Sequence, residues 1–321
     1  MDPVTERMVA DVLAGEFRAI ARLITLVENG APAAIPALQE LFPHTGRCVS
    51  VGITGAPGAG KSTLVDQLAG HYRALGEKVG IIAVDPTSPF TGGAILGDRI
   101  RMQSRSLDSG TFIRSMATRG NLGGLARATA DVLLVLDAAG FDIVLIETVG
   151  VGQDEVEIAR TAQVTLVLLV PGMGDDVQTM KAGIMEIGDV FVINKADHAG
   201  VERVEAELES LLAISSRQDG WKPPVVRTVA TEGKGIDACA RAIQSWRESQ
   251  KQSAFQLEKR IQIQKERLLE LVHAKIVRSL LRDQRTFGRL DELARRVVER
   301  GIDPFSAAEV LLAAWEAQRS H

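Results

Sequence analysis

Eight residues, Gly55-Ala56-Pro57-Gly58-Ala59-Gly60-Lys61-Ser62, constrain this chain more than any other stretch. They fit the pattern G-x-x-x-x-G-K-[ST], and their flanks fit the geometry that the pattern needs. Before them, Cys48 to Thr54 reads as a short buried strand rich in β-branched residues. After them, Thr63 to Leu75 reads as a helix with Leu64, Leu68 and Leu75 on or near one face. A loop of small residues between strand and helix lets backbone N–H groups converge on phosphate oxygens at the positive end of the helix. Gly55, Ala56, Pro57, Gly58, Ala59, Gly60, Lys61, Ser62 and Thr63 are therefore expected to line a nucleotide. Lys61 would reach the β- and γ-phosphates, and the Ser62 hydroxyl would ligate Mg²⁺. A plain glycine-rich turn accounts for the glycines but not for strand, loop and helix in register.

The same alternation continues downstream. Short apolar runs at 48–54, 79–84, 111–115, 142–147, 164–170, 189–193 and 225–229 read as strands, several covered on both faces. Helical spacing fits 61–75, 122–139, 178–187, 198–214 and 235–248. The fold class is thus α/β: a P-loop NTPase with a doubly wound, mostly parallel sheet. Residues 4–28 read as helical, and Pro32, Pro36 and Pro43 then break the chain into a short helix and a linker. Residues 253–321 carry no strand signal; Leu257, Ile261, Leu268, Val272, Ile276 and Leu280 follow helical spacing there, and shorter helices fit 289–300 and 304–318. The organisation expected is an N-terminal helical arm (1–46), a nucleotide-binding domain (47–250) and a C-terminal helical region (251–321).

Composition narrows the function classes. With 321 residues, a net charge of −4 and 4% aromatic residues, the chain has neither the basic footprint nor the stacking platforms of a nucleic-acid binder. Its longest apolar runs are too short to span a membrane. The opening M-D-P-V-T-E-R lacks an apolar leader core, and Cys48 and Cys239 form neither a disulfide framework nor a C-x-x-C site. A cytoplasmic location is the expectation.

Three further motifs sit at strand ends, where a doubly wound fold binds its ligand. Asp85-Pro86-Thr87-Ser88 ends the second strand, and its carboxylate can hold Mg²⁺ directly or through water. Glu147-Thr148-Val149-Gly150 has the form of a nucleotide-sensing switch: the carboxylate reaches the metal shell and the Gly150 N–H binds the γ-phosphate. Gln153 lies three residues beyond that glycine, where a water-positioning glutamine would follow it directly. Asn194-Lys195-Ala196-Asp197 follows the sixth strand. Asp197 can accept two N–H bonds from guanine, and adenine would leave it unsatisfied. The base is guanine.

Taken together, G-A-P-G-A-G-K-S-T, D-P-T-S-P-F-T-G-G-A-I-L-G-D-R-I-R-M, E-T-V-G-V-G-Q-D-E-V, P-G-M-G-D-D-V-Q-T-M-K-A-G-I-M-E-I and N-K-A-D resemble the MeaB/ArgK/MMAA family, G-protein chaperones of adenosylcobalamin-dependent acyl-CoA mutases. The resemblance covers 48–248 and extends into the helical ends. It implies a dimeric, Mg²⁺-dependent GTPase in which Asp85, Asp98 and Glu147 act with Ser62 around the metal. It implies that adenosylcobalamin is held by the client, not by this chain, and that the C-terminal helices carry the homodimer contact. It also implies a mobile segment from Pro171 to Glu186, including Gln178 and Lys181, with Lys181 placed to bring positive charge to the phosphates. Val229-Ala230-Thr231 stands where the base-side loop often reads S-A-x, which keeps backbone N–H contacts to guanine. The readings that compete are a metallochaperone GTPase, disfavoured by five scattered histidines; an ATP-dependent kinase, disfavoured by N-K-A-D; and a scaffold that binds nucleotide with negligible turnover.

Overall fold

Runs of Val, Ile and Leu bounded by turn residues become strands because an extended backbone covered on both faces buries every side chain. In the computed structural model, which describes residues 2–85, 108–117, 124–148, 161–172, 187–214, 217, 219–250, 254–282 and 284–319, seven such strands form one sheet. They are β1 (Val49–Gly55), β2 (Val79–Asp85), β3 (Thr111–Ala117), β4 (Ile143–Thr148), β5 (Val164–Leu169), β6 (Val190–Ile193) and β7 (Val225–Arg227). Their order is β3-β2-β4-β1-β5-β6-β7, and every pairing is parallel. Strands β2 to β4 lie on one side of β1 and β5 to β7 on the other, so its carboxyl end is the point where the winding reverses and a ligand crevice opens.

The two-residue side-chain period sorts each strand onto two faces. Val49, Val51 and Ile53 of β1, with Ile143 and Leu145 of β4, pack under α4 (Lys61–Ala74) and a later helix, Ile236–Gln250. Val144 and Ile146 of β4, with Ile82 and Val84 of β2, pack on the other face. There they meet α1 (Pro3–Leu13), α2 (Phe17–Glu28), α3 (Ala34–Leu41) and α5 (Gly124–Ala138). On the far side of β1 from β4, strands β5 and β6 send Val167, Leu169, Phe191 and Ile193 against α6 (Val201–Ile214). The helix Ile236–Gln250 is α7.

One expectation needs correction. Residues 4–28 are not one helix: Gly15, at φ +78°, breaks the segment into α1 and α2. The break lets Val12 of α1 and Ile20, Leu23 and Ile24 of α2 all reach the sheet-facing core. Phe17 meets Phe112 edge-on at 5.5 Å, and Arg114 of β3 pairs with Glu28 while also donating to the Thr25 hydroxyl at 3.1 Å. Asp137 then ties the linker to the first strand by accepting from the N–H groups of Gly46, Arg47 and Cys48.

The described chain divides into two compact units, Met1–Phe255 and Gln256–His321. The second is helical, built from most of α8 (Ala254–Arg282) with α9 (Gln284–Val298) and α10 (Pro304–Arg319). Of the apolar stripe read along α8, Leu257, Ile261, Leu268 and Val272 are 63%, 47%, 60% and 52% exposed, whereas Leu280 is buried. Among the described residues no helix is long and apolar enough to cross a membrane. The helix expected at 178–187 lies outside the described residues, apart from its last position.

Candidate nucleotide site

At the carboxyl end of β1 the backbone must turn sharply before α4 begins. Gly55 sits at φ +141°, and a Cβ there would lie 2.4 Å from the Leu168 carbonyl oxygen. Gly60 sits at φ +91°, where a Cβ would lie 2.4 Å from the Asn194 side-chain nitrogen. Both positions therefore admit only glycine, for backbone conformation and for space. The loop ends at the N-terminus of α4, where unsatisfied N–H groups and the helix dipole favour an anion.

Lys61 is the first residue of α4 and is buried. Its ammonium donates to the carbonyls of Gly55 and Ala56 at 2.7 and 3.0 Å, so it already points back into the loop that would hold phosphate. Ser62, next along, donates its hydroxyl proton to Glu147 Oε1 at 2.5 Å. Glu147 is in β4, opposite Ile53 of β1, and only 4% exposed. The strand pairing thus brings a carboxylate read from one motif onto the hydroxyl of another, 85 positions away.

The base side is assembled from the ends of β6 and β7. Asn194 is buried, and both ends of its carboxamide are engaged. Its Nδ2 donates to the Ala59 carbonyl at 2.8 Å, and its Oδ1 accepts from the Thr228 hydroxyl at 3.0 Å and the Ala230 N–H at 3.1 Å. Lys195 takes a left-handed backbone, φ +56°, which turns the chain so that Asp197 leaves the core. The Asp197 side chain is 51% exposed, with His198 Nε2 at 3.8 Å. A carboxylate that must meet a ligand edge stands open in this way. Val229, Ala230 and Thr231 lie at the following turn, with Ala196 N–H bonded to the Thr228 carbonyl at 3.0 Å.

The structure therefore brings Gly55 to Thr63, Glu147, Asn194 to Asp197 and Val229 to Thr231 to one end of the sheet. Asp85 ends β2 at that same edge, its backbone alone being described. Asp98, Gly150, Gln153, Gln178 and Lys181 lie outside the described residues. Thr228 is a residue that motif reading missed. Its signal was a hydroxyl-bearing residue at a strand end immediately before Val229-Ala230, the position that must face Asn194.

A parallel doubly wound sheet, a phosphate loop at its switch point, an acidic strand end and an N-K-x-D base loop define a P-loop GTPase. The sequence matches the family described as "Methylmalonyl Co-A mutase-associated GTPase MeaB" over residues 20–285, and the chain belongs to that family. A relative from Pyrococcus abyssi is 51% identical over 315 residues, covering 97% of this chain and 96% of its own length. The GTPase ArgK of Escherichia coli is 41% identical over 237 residues, 71% of this chain and 72% of that protein. Among solved structures, the crystal structure of an LAO/AO transport system kinase superposes with a TM-score of 0.71 at 28% identity, covering 98% of this chain and 99% of that one.

Proposed function

We propose that this protein is a Mg²⁺-dependent, GTP-hydrolysing chaperone of an adenosylcobalamin-dependent acyl-CoA mutase, acting as a homodimer in the cytoplasm. The observation that carries the reading is the Ser62–Glu147 pair beneath the phosphate loop, joined through Asn194 to a guanine-type base loop. The client comes from the family's description, which names a methylmalonyl-CoA mutase as the associated protein.

A hydroxyl and a buried carboxylate at 2.5 Å are hard oxygen donors, the set that suits Mg²⁺. Ser62 and Glu147 would hold the ion with Asp85 and Asp98, which would bring further carboxylates to the shell. When bound, the ion supplies neutralisation of charge on the β- and γ-phosphate oxygens. Nucleotide phosphates offer Lys61 stronger acceptors than the carbonyls of Gly55 and Ala56. Asp197 accepts from the guanine edge, and the Gly150 N–H reads the γ-phosphate. Lys181 brings a second positive charge in the complex with the client. Adenosylcobalamin belongs to the client, whose loading this chain would gate through its nucleotide state.

The kinase activity in the name of the similar crystallised protein is a weaker reading here, because N-K-A-D selects guanine. GTPase rate measured against mutase concentration, for wild type and Lys181→Ala, tests the proposal. Stimulation of wild type by an adenosylcobalamin mutase, largely lost in Lys181→Ala, is the expected result. Absence of stimulation by any such mutase would overturn the chaperone reading while leaving the GTPase intact.

A further inference from the structure

At the other end of α4 from Lys61, a cleft of about 130 Å³ opens between the amino ends of β1 and β4 and the last turns of α4 and α7. Its floor is apolar, made by Val49, Ile143 and Ile243. Its rim carries four charges: Glu77, Asp142, Arg47 and Arg247.

The strand order sorts these charges by sign. Glu77 precedes β2, Asp142 precedes β4 and Arg47 precedes β1, and those strands lie side by side in that order. Arg247 comes from α7, which packs over α4, β5 and β6. Carboxylates therefore gather on the β2–β4 side of the cleft, and guanidinium groups on the β1–β5 side.

Backbone hydrogen bonds fix the roots of the rim. Arg47 N–H donates to Asp137 Oδ1 at 3.1 Å. Glu77 N–H donates to the Tyr72 carbonyl at 3.1 Å, and the Glu77 carbonyl accepts from Arg73 Nη1 at 2.6 Å. Asp142 Oδ2 accepts from Lys78 N–H at 2.7 Å. The charged ends are unspent: among the described residues, none of Arg47, Glu77 and Arg247 forms an ion pair. Burial, and then the Asp142 charge, raise the Glu77 carboxyl above its ordinary value, a repulsion that a cation between the two would relieve.

A buried group also lacks its partner here. Tyr72 lines the cleft and is only 8% exposed, yet its hydroxyl has no hydrogen-bond partner among the described residues. Buried phenols are ordinarily paired, and a bound polar group would complete this one.

We propose that the cleft binds a small aliphatic amino acid in its zwitterionic form. The ammonium lies between Glu77 and Asp142, and the carboxylate accepts from Arg47 and Arg247. The aliphatic chain covers Val49, Ile143 and Ile243, and the Tyr72 hydroxyl supplies one further hydrogen bond. A simple anion or cation would answer only one side of the rim and would leave the floor bare.

The test is calorimetric titration of the full chain with leucine, 3-methylbutylamine and 4-methylpentanoate. The three share a branched chain; the amine lacks the carboxylate and the acid lacks the ammonium. Leucine should bind at least about tenfold more tightly than either, since each analogue forfeits charge-assisted contacts on one side. Arg247→Met and Glu77→Gln should each weaken leucine by about tenfold, and Tyr72→Phe by about threefold. Retained melting temperatures and GDP binding in these variants control for folding. No leucine binding at about 10 mM, equal affinity for the three probes, or unchanged leucine affinity in both Arg247→Met and Glu77→Gln would each overturn the proposal.

Discussion

Asn194 donates its side-chain N–H to the carbonyl of Ala59 at 2.8 Å, which ties the end of the base-binding strand β6 directly to the phosphate loop. The two residues are 135 positions apart, and both are buried. Because the other end of the same carboxamide accepts from Thr228 and Ala230, one planar group sets the distance between base side and phosphate side. A nucleotide that spans both must fit that fixed separation.

Removing this group should therefore harm both stability and binding. Asn194→Ala leaves the Thr228 hydroxyl and the Ala230 N–H without their partner, at a cost of about 2–3 kcal/mol. GDP affinity should fall by more than about tenfold as the loops lose their common anchor. Thr228→Val removes a single bond and should cost about 1 kcal/mol, with smaller effect on GDP. Thermal melting and calorimetry of the two variants check the ranking.

The Ser62–Glu147 contact predicts a metal phenotype. Glu147→Gln keeps the shape and removes the charge, so the Mg²⁺ concentration for half-maximal hydrolysis should rise by about 10–100-fold. Ser62→Ala should act in the same direction. An unchanged Mg²⁺ dependence in both variants would detach this pair from the metal.

Two buried hydroxyls carry a prediction of opposite sign. Ile53 is opposite Glu147, so the next rung sets Thr54 of β1 beside Thr148 of β4, and both are 0% exposed. Neither hydroxyl has a hydrogen-bond partner among the described residues. Valine has nearly the same shape and no polar atom to desolvate. Thr54→Val and Thr148→Val should each raise stability by about 1 kcal/mol in chemical denaturation. A loss of stability instead would show that the hydroxyls serve a bound water or another group.

The Arg73–Asp108 pair joins the end of α4 to the start of β3, with Asp108 also accepting from Gly110 N–H and the Thr111 hydroxyl. The Arg73 guanidinium first, and then these two donors, hold the Asp108 carboxyl well below its ordinary value of 3.8. A depressed folded-state pKa contributes stability that is present above the unfolded value and lost as pH falls through the folded one. Asp108→Asn should cost about 1 kcal/mol at neutral pH, discounted for partial exposure, and the gap to wild type should begin to narrow only below about pH 4, closing as pH falls further toward the folded-state value. Parallel melts at neutral and acid pH check the sign.

The apolar stripe of α8 gives a prediction about assembly. Leu268 and Val272 lie one turn apart and are 60% and 52% exposed. Covered by a second copy, such a stripe would become a hydrophobic seam. Light scattering on the full chain should find a dimer, and Leu268→Glu with Val272→Glu should convert it to monomer with the α/β unit still folded. A dimer that survives both charges would place the contact elsewhere.

The phosphate loop, the alternation of strands and helices and the N-K-A-D turn were legible in the sequence because each rests on local physics. Gly55 and Gly60 are demanded by backbone angles and by a neighbour's approach, and seven apolar runs were each long enough for one strand. Gly15 was visible too, but helical periodicity on both sides masked the break, since a stripe of apolar residues persists through a turn that redirects it. What the sequence could not give was pairing across the sheet. That Glu147 meets Ser62 depends on β4 lying next to β1, and that Thr228 meets Asn194 depends on β7 lying next to β6. Those adjacencies come from packing the sheet's two faces at once, a balance of burial over the whole domain that no short stretch encodes. The residue types fixed which chemistry was available; only the tertiary structure decided which of those groups stand within reach of one another.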